Sequence, residues 1–242
     1  MKNFALAMLL SSFISINAQE KNNIIKTNVT GYAFRNINIS YERAVKKWLS
    51  INFGFGIVPS GNVPFLKSFI GIEGDDFQNV NVGLSNFTIE PRFYLGEGYG
   101  KGFYIAPYYR YSSFNADNFV YNYKYKDGIG NTELIPLDIS GKASGNSVGV
   151  LLGVQFFLGK NDNWILDLWI IGGHYGSGKG EFNGKSRKPL TQDQQNQLAA
   201  DLEDIQIPIF DYKVGANANG AQIKLDGPWA GIRSGLSFGY RF

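Results

Sequence analysis

Apolar and polar residues alternate along most of this chain with a period of two, the pattern of β-strands that have two different faces. Residues 229–242 show it best. One face of this stretch is mostly apolar and ends on Phe238, Tyr240 and Phe242, whereas the other, from Arg233 onward, carries only arginine, glycine and serine. The second face would be a poor surface toward water but a good lining for a narrow lumen. In lipid, the apolar face would therefore point outward.

The same alternation predicts eight strands. They cover residues 24–34, 37–45, 48–58, 85–96, 102–114, 144–158, 164–175 and 229–242. Pro91 and Pro107 lie inside two of these strands and argue against central positions in a water-soluble sheet. In the seventh strand the period places Asp167, Trp169 and Ile171 on one face.

The connections between the predicted strands fall into two classes. Those after the second, fourth and sixth strands are short, those after the third, fifth and seventh are long, and only the first connection breaks the rule. If the mature N-terminus starts in the periplasm, every short turn is periplasmic and every long loop is external, as in outer-membrane barrels. Residues 115–143 are predicted to prolong the fifth and sixth strands as a hairpin. A capping box from Thr191 to Gln194 predicts a helix over residues 191–205 in the last loop.

Seven charged residues have the polar parity on their strands and are predicted to face the lumen. They are Lys26, Glu42, Glu90, Arg92, Arg110, Asp167 and Arg233. A ring of eight strands is just wide enough to be filled by side chains, so these charges must pair or accept hydrogen bonds. We interpret them as a structural ion-pair core; a proton or ion path is the alternative.

Aromatic residues at the strand ends match the girdles of a membrane barrel. Trp48 and Trp164 fall at the periplasmic ends, and Trp229, Tyr111 and Tyr175 near the outer ends.

The N-terminus has the features of a secretory signal peptide. Residues 1–18 contain one lysine, about a dozen apolar residues and a small residue before a polar start. The apolar run is too short to span a bilayer as a helix. The mature chain, residues 19–242, is predicted to be the barrel domain. The sequence has no cysteine, which excludes disulfide and thiolate chemistry, and its net charge of +3 gives no indication of nucleic-acid binding.

Candidate chemistry is sparse. The sole histidine, His174, lies near the outer end of the seventh strand, but the position two residues after it, where a lipid A deacylase has its serine, is Gly176. An acidic group in a loop, Glu73, Asp75 and Asp76, lacks a recognisable metal-binding spacing, so no metal and no cofactor is predicted. A set of basic loop residues could contact lipopolysaccharide phosphates: Lys179, Lys185, Arg187 and Lys188.

Taken together, the signal peptide, the alternation, the sorted loops and the terminal Phe238-x-Tyr240-x-Phe242 resemble the small outer-membrane barrels of Gram-negative bacteria, the OmpX, OmpW and OmpA-transmembrane type. The resemblance implies an all-β fold: a single eight-stranded antiparallel transmembrane β-barrel with short periplasmic turns and long extracellular loops. It also implies that the assembly machinery reads the terminal strand through Leu236, Phe238, Tyr240 and Phe242.

Three functional hypotheses follow from this resemblance. The first is a monomeric, non-enzymatic barrel of the outer membrane, in contact with its lipid and lipopolysaccharide, whose external loops bind a surface partner or stabilise the envelope. The second is an enzyme acting on outer-leaflet lipids, a deacylase or acyltransferase with His174 as its weak catalytic candidate. The third is a narrow passive channel for small solutes.

Overall fold

A computed structural model describes residues 21–61, 81–204 and 211–242, without the side chains of residues 117–119. Within these ranges the chain is all-β with one α-helix. The predicted signal peptide lies outside the described residues, as do Glu73, Asp75 and Asp76. None of the described helices is long and apolar enough to span a bilayer.

Ten antiparallel strands form one sheet, in which eight close into a ring. The strands are β1 (Asn23–Asn28), β2 (Ile37–Lys46), β3 (Leu49–Gly61), β4 (Asn81–Tyr94), β5 (Gly102–Lys126), β6 (Thr132–Leu158), β7 (Trp164–Ser186), β8 (Asp211–Asn217), β9 (Gly220–Pro228) and β10 (Gly231–Arg241). The order is β10-β1-β2-β3-β4-β5-β6-β7-β9-β8, and a further pairing of β10 with β7 closes the ring. The predicted eighth strand corresponds to β10.

Apart from the connection between β1 and β2, the short and the long connections lie at opposite ends of the ring. The turns between β2 and β3, β4 and β5, and β6 and β7 share one end with Asn23 and Phe242, whose backbones hydrogen-bond to each other. The other end, called here the loop end, carries the connections between β1 and β2, β3 and β4, β5 and β6, and β7 and β10.

The two faces of the ring strands differ as the alternation predicts, with apolar side chains outside. On β3, Phe53, Phe55 and Ile57 are exposed, whereas Ser50 and Asn52, which have the opposite parity, are buried. Pro91 and Pro107 also have the outward parity. An ordinary water-soluble fold buries its apolar face, so this ring is inverted relative to one.

Two local irregularities depart from the predicted alternation. The first predicted strand stops at Asn28, and residues Thr30–Phe34 form a 3-10 helix instead. In β7 the register against β6 shifts between Trp169 and Ile171. Such a bulge reverses the parity that follows. The prediction that Ile171 shares a face with Asp167 is therefore wrong: Ile171 is 57% exposed.

Beyond the loop end, the sheet continues as five strands, which we call the extension. β5 and β6 form the predicted long hairpin, and β7 runs on to Ser186. The hairpin of β8 and β9 pairs with the free edge of β7. The sequence did not predict β8 and β9.

The predicted helix, α1 (Gln192–Glu203), packs on the extension. Thr191 and Gln194 form the capping box. Leu190 and Leu198 are buried with Tyr123, Ile135 and Leu137 in a second hydrophobic core, separate from the ring. Burial, followed by the hydrogen bond to Asp201, raises the pKa of Tyr123 well above its ordinary value.

Replacing Leu198 by alanine should detach α1 without opening the ring. Leu198 is 1% exposed, and truncating a buried leucine costs about 2–5 kcal/mol. We expect faster proteolysis near α1 and an unchanged shift in electrophoretic mobility on heating, which reports whether the ring of strands is closed. The exposed Asn196→Ala is the matched control, and equal protease sensitivity of the two variants would contradict the packing.

Candidate functional site

The interior of the ring holds a buried network of ion pairs. Arg92 binds three carboxylates: its Nη1 lies 2.7 Å from Asp167 and 3.1 Å from Glu42, and its Nη2 lies 2.9 Å from Glu90. Lys26 Nζ lies 2.5 Å from Glu42 and 2.8 Å from Asp167. All five side chains are at most 1% exposed. Burial of this many charges is tolerable only because each has an opposite partner.

Neutral side chains complete the hydrogen bonding of this network. The hydroxyl of Tyr94 donates to Glu42 at 2.7 Å, and that of Tyr104 donates to Asp167 at 2.7 Å. Gln155 accepts from Lys26 at 2.7 Å. The guanidinium of Arg92 also lies 4.5 Å from the centre of the Tyr104 ring, a cation–π contact.

Arg233 extends the network toward the loop end. Its Nη2 lies 2.7 Å from Glu90 Oε1. Its guanidinium makes cation–π contacts with two aromatic rings, 4.6 Å from the centre of Tyr108 and 4.7 Å from that of Trp169. The structure thus connects six of the seven charged residues expected in the lumen.

Arg110, the seventh, lies in the same interior but makes no ion pair with a described residue. Its Nε donates to Ser112 Oγ at 3.3 Å. Together with Arg233 and Glu90 it lines a cavity of about 370 Å³ on the loop side of the network, whose lining combines charged, amide and apolar side chains. The cavity carries several amide side chains, including Asn52 and Asn86.

Sequence reasoning placed Tyr104, Tyr108 and Trp169 inside the ring but did not single out its other neutral members, such as Ser50 and Asn52. Ser50 donates to Glu42, and Asn52 donates to Glu90 at 3.1 Å. Both have the inward parity that identified the charges, as do Tyr94 and Gln155. Their inward parity could therefore have identified them as lumen residues. Parity alone, however, does not show which inward neutral residue hydrogen-bonds to the charged network.

His174 lies inside the ring because the bulge in β7 reverses its parity. Its Nδ1 is 3.0 Å from the Tyr108 hydroxyl. The serine nearest to His174 in the sequence is Ser177, directly after Gly176. It is exposed and pairs with Pro228 of β9. His174, inside the ring, and Ser177, on its outside, therefore do not form a pair.

Four of the five aromatic residues expected at an interface lie on the outer surface. Trp48 stacks on Phe93 with ring centres 5.9 Å apart, and Trp164 stacks on Phe238 at 5.3 Å. Tyr111 and Tyr175 are exposed at the loop side.

Trp229, the fifth of these aromatic residues, does not lie on the outer surface but covers part of the inner face of the sheet. A Cβ atom placed on Gly145 or on Gly178 would come within 2.4 Å of its ring. These two glycines pair across β6 and β7, and Gly145 shares the inner face of β6 with the buried Ser147. The Trp229 ring therefore covers a bare patch of the inner face, which only glycine at both positions permits.

The terminal strand places its proposed assembly residues along the outer wall. Phe238 and Tyr240 are exposed, and Leu236 pairs with Leu168 of β7. The Phe242 backbone hydrogen-bonds with that of Asn23 at the end of the pairing between β10 and β1.

The basic loop residues expected to contact lipopolysaccharide are mostly neutralised. Arg187 Nη2 lies 2.7 Å from Asp138, and Lys188 pairs with Glu133. Lys179 pairs with Asp226 at 3.4 Å. The hydrogen bond from Arg187 lowers the pKa of Asp138. Among the described residues no cluster of three acidic or histidine side chains could hold a metal ion.

Comparison of the chain with known protein families and with curated proteins found no match.

Proposed function

We propose that this protein is an integral outer-membrane β-barrel of a Gram-negative bacterium, without enzymatic activity, that holds a binding surface outside the cell. The supporting observation is the inverted ring, which exposes its apolar face and buries its charges. β10 has 11 residues, and a strand of roughly 9–11 residues crosses the hydrocarbon core when it is tilted.

The exposed apolar residues support a lipid environment because they are continuous around the ring. Val148 and Val150 on β6, Ile170 on β7 and Ile232 on β10 are between 45% and 87% exposed. Contiguous apolar surface of this kind is rare on soluble monomers. Trp48 and Trp164 lie where the short turns begin, as interfacial aromatic residues do.

The ion-pair network argues against a channel. Arg92 joins Glu42 and Asp167 across the interior through hydrogen-bonded ion pairs of 3.1 and 2.7 Å, and the Tyr94 and Tyr104 side chains are buried beside them. An ion would have to break several buried pairs to pass. In planar bilayers the purified protein is expected to give conductance at background level.

The extension is the part proposed to face outside. It has its own hydrophobic core and a capped helix, so it is an ordered unit. Ordered external loops on a rigid ring are the usual place for a binding function.

Cell fractionation tests the location directly. The full chain, expressed in a Gram-negative host, should cofractionate with outer-membrane markers and show heat-modifiable mobility. Surface proteolysis of intact cells should cut the extension and leave the ring protected. Recovery of folded protein in the soluble periplasmic fraction would contradict the proposal.

The lipid-enzyme alternative makes a separate prediction. If His174 is structural, His174→Ala should leave the mass spectrum of lipid A identical to that of cells carrying the wild-type protein. The Tyr108→Phe variant, which removes the hydroxyl next to His174, should be equally silent. A lipid A species that depends on the wild-type protein and disappears with His174→Ala would instead support an enzyme.

A further inference from the structure

The cavity on the loop side of the network has no role in the proposed function. It has a volume of about 370 Å³. Its charged lining residues are Glu90, Arg110 and Arg233. Its amide lining residues are Asn28, Asn36, Asn38, Asn52 and Asn86.

Among the described residues that form the network and line the cavity, cations outnumber carboxylates by four to three. Lys26, Arg92 and Arg233 are matched by Glu42, Glu90 and Asp167 within the network. Arg110 adds a fourth cation, and no described carboxylate pairs with it. A partly buried guanidinium beside a neutral hydroxyl keeps most of its donors available for an anion.

Two further donors on the cavity lining lack partners. Asn86 is only 8% exposed, and its Nδ2 has no hydrogen-bond partner among the described residues. The same holds for Nη1 of Arg233. Two amide acceptors of the lining, Oδ1 of Asn36 and Oδ1 of Asn52, are also unpartnered, and Glu90 Oε1 is held only by its ion pair with Arg233. Because a buried donor without a partner is destabilising, the free donors of Asn86 and Arg233 favour occupation of the cavity by a group that accepts hydrogen bonds, and the additional cation Arg110 favours an anionic group.

The cavity also reaches the outer wall of the ring. Pairing of β1 with β2 ends at Lys26 and Ser40, and beyond it the Asn38 side chain bonds the Asn28 backbone at 2.6 and 3.0 Å in place of a ladder. The exposed, outward-facing Ile39 and Ile232 contribute to the cavity lining. An anionic group could therefore enter free in solution or on an amphiphile beside the wall.

We propose that this cavity binds a single anionic group, a carboxylate or a phosphate. Arg110 is its main ligand, and Asn86 and Arg233 donate further hydrogen bonds. Guanidinium groups suit both anions because they present parallel donors in a plane.

Titration followed by ³¹P NMR tests this site with the full mature protein folded in a nonionic detergent. The probes are inorganic phosphate and dodecyl phosphate. Binding should saturate in the wild type and weaken about 10- to 100-fold in Arg110→Gln, which removes charge-assisted hydrogen bonds. Asn86→Asp, which replaces a donor by a negative charge, should weaken it similarly. Lys213→Gln, on β8 and remote from the cavity, should bind as the wild type does.

The outcomes separate the source of the anion from the existence of the site. Saturation by inorganic phosphate assigns a free anion, and saturation by dodecyl phosphate alone assigns the head group of an amphiphile. Failure of both probes to saturate overturns the proposal, as does wild-type binding in Arg110→Gln and Asn86→Asp. Heat-modifiable mobility establishes that each variant is folded. If Arg110→Gln does not fold, the phosphate binding of Asn86→Asp decides the test. The test needs only the closed ring in detergent, so its failure would leave the membrane assignment untouched.

Discussion

Arg92→Met should lower the free energy of unfolding by about 3–5 kcal/mol, because it leaves buried carboxylates without their shared cation. Arg92 contacts Asp167, Glu42 and Glu90 and is itself fully buried. In the variant, these three carboxylates would share only Lys26 and Arg233. Methionine fills much of the same volume, so the loss measures charge rather than a cavity. Urea unfolding of the refolded protein, followed by tryptophan fluorescence, gives the midpoint.

The matched control is Val148→Ala, which removes two methyl carbons from a side chain that is 66% exposed on the outer face. Thr27, also outward by parity, is a poorer control because its hydroxyl bonds the Asn38 carbonyl oxygen at 2.8 Å. Adding Asp167→Asn to Arg92→Met should cost less than the sum of the two single changes, since the second change removes one of the stranded charges. Equal midpoints for Arg92→Met and Val148→Ala would mean that the charges are not coupled inside the ring.

Leu152→Arg should prevent or strongly weaken folding into a bilayer, whereas Val120→Arg should not. The two residues are 43% and 42% exposed. Leu152 lies on the outer wall of the ring, and Val120 lies on the part of β5 that belongs to the extension. An arginine on the lipid face near the bilayer midplane costs about 2–4 kcal/mol. In water, the same change at an exposed site has little effect.

This pair separates lipid from water because side-chain exposure and chemistry are matched. Folding yield into phospholipid vesicles, read as heat-modifiable mobility, is the measurement. Similar yields for both variants would contradict a transmembrane ring even if the strand pairing were correct. Reduced yield for Val120→Arg alone would place the membrane around the extension instead.

The sequence by itself determined the ring strands and their inward charges. A period of two becomes visible in a sequence when the two faces of a strand meet different surroundings. Around the ring they do, so Glu42, Glu90 and Asp167 were separable from their apolar neighbours without coordinates. The capping box at Thr191 could also be recognised from the sequence, because its two hydrogen bonds join residues only three positions apart.

Only the tertiary structure decided which charges pair, where alternation fails and how the extension is built. Whether Arg92 or Arg110 reaches Asp167 depends on the stagger of strands around the ring, which no single strand encodes. The bulge that turns His174 inward adds one residue to β7 and has no sequence signal of its own. In β8 and β9, exposed and half-buried residues alternate with little burial on either face. Their position comes from the free edge of β7, a partner distant in the chain, and hydropathy along the sequence does not record it.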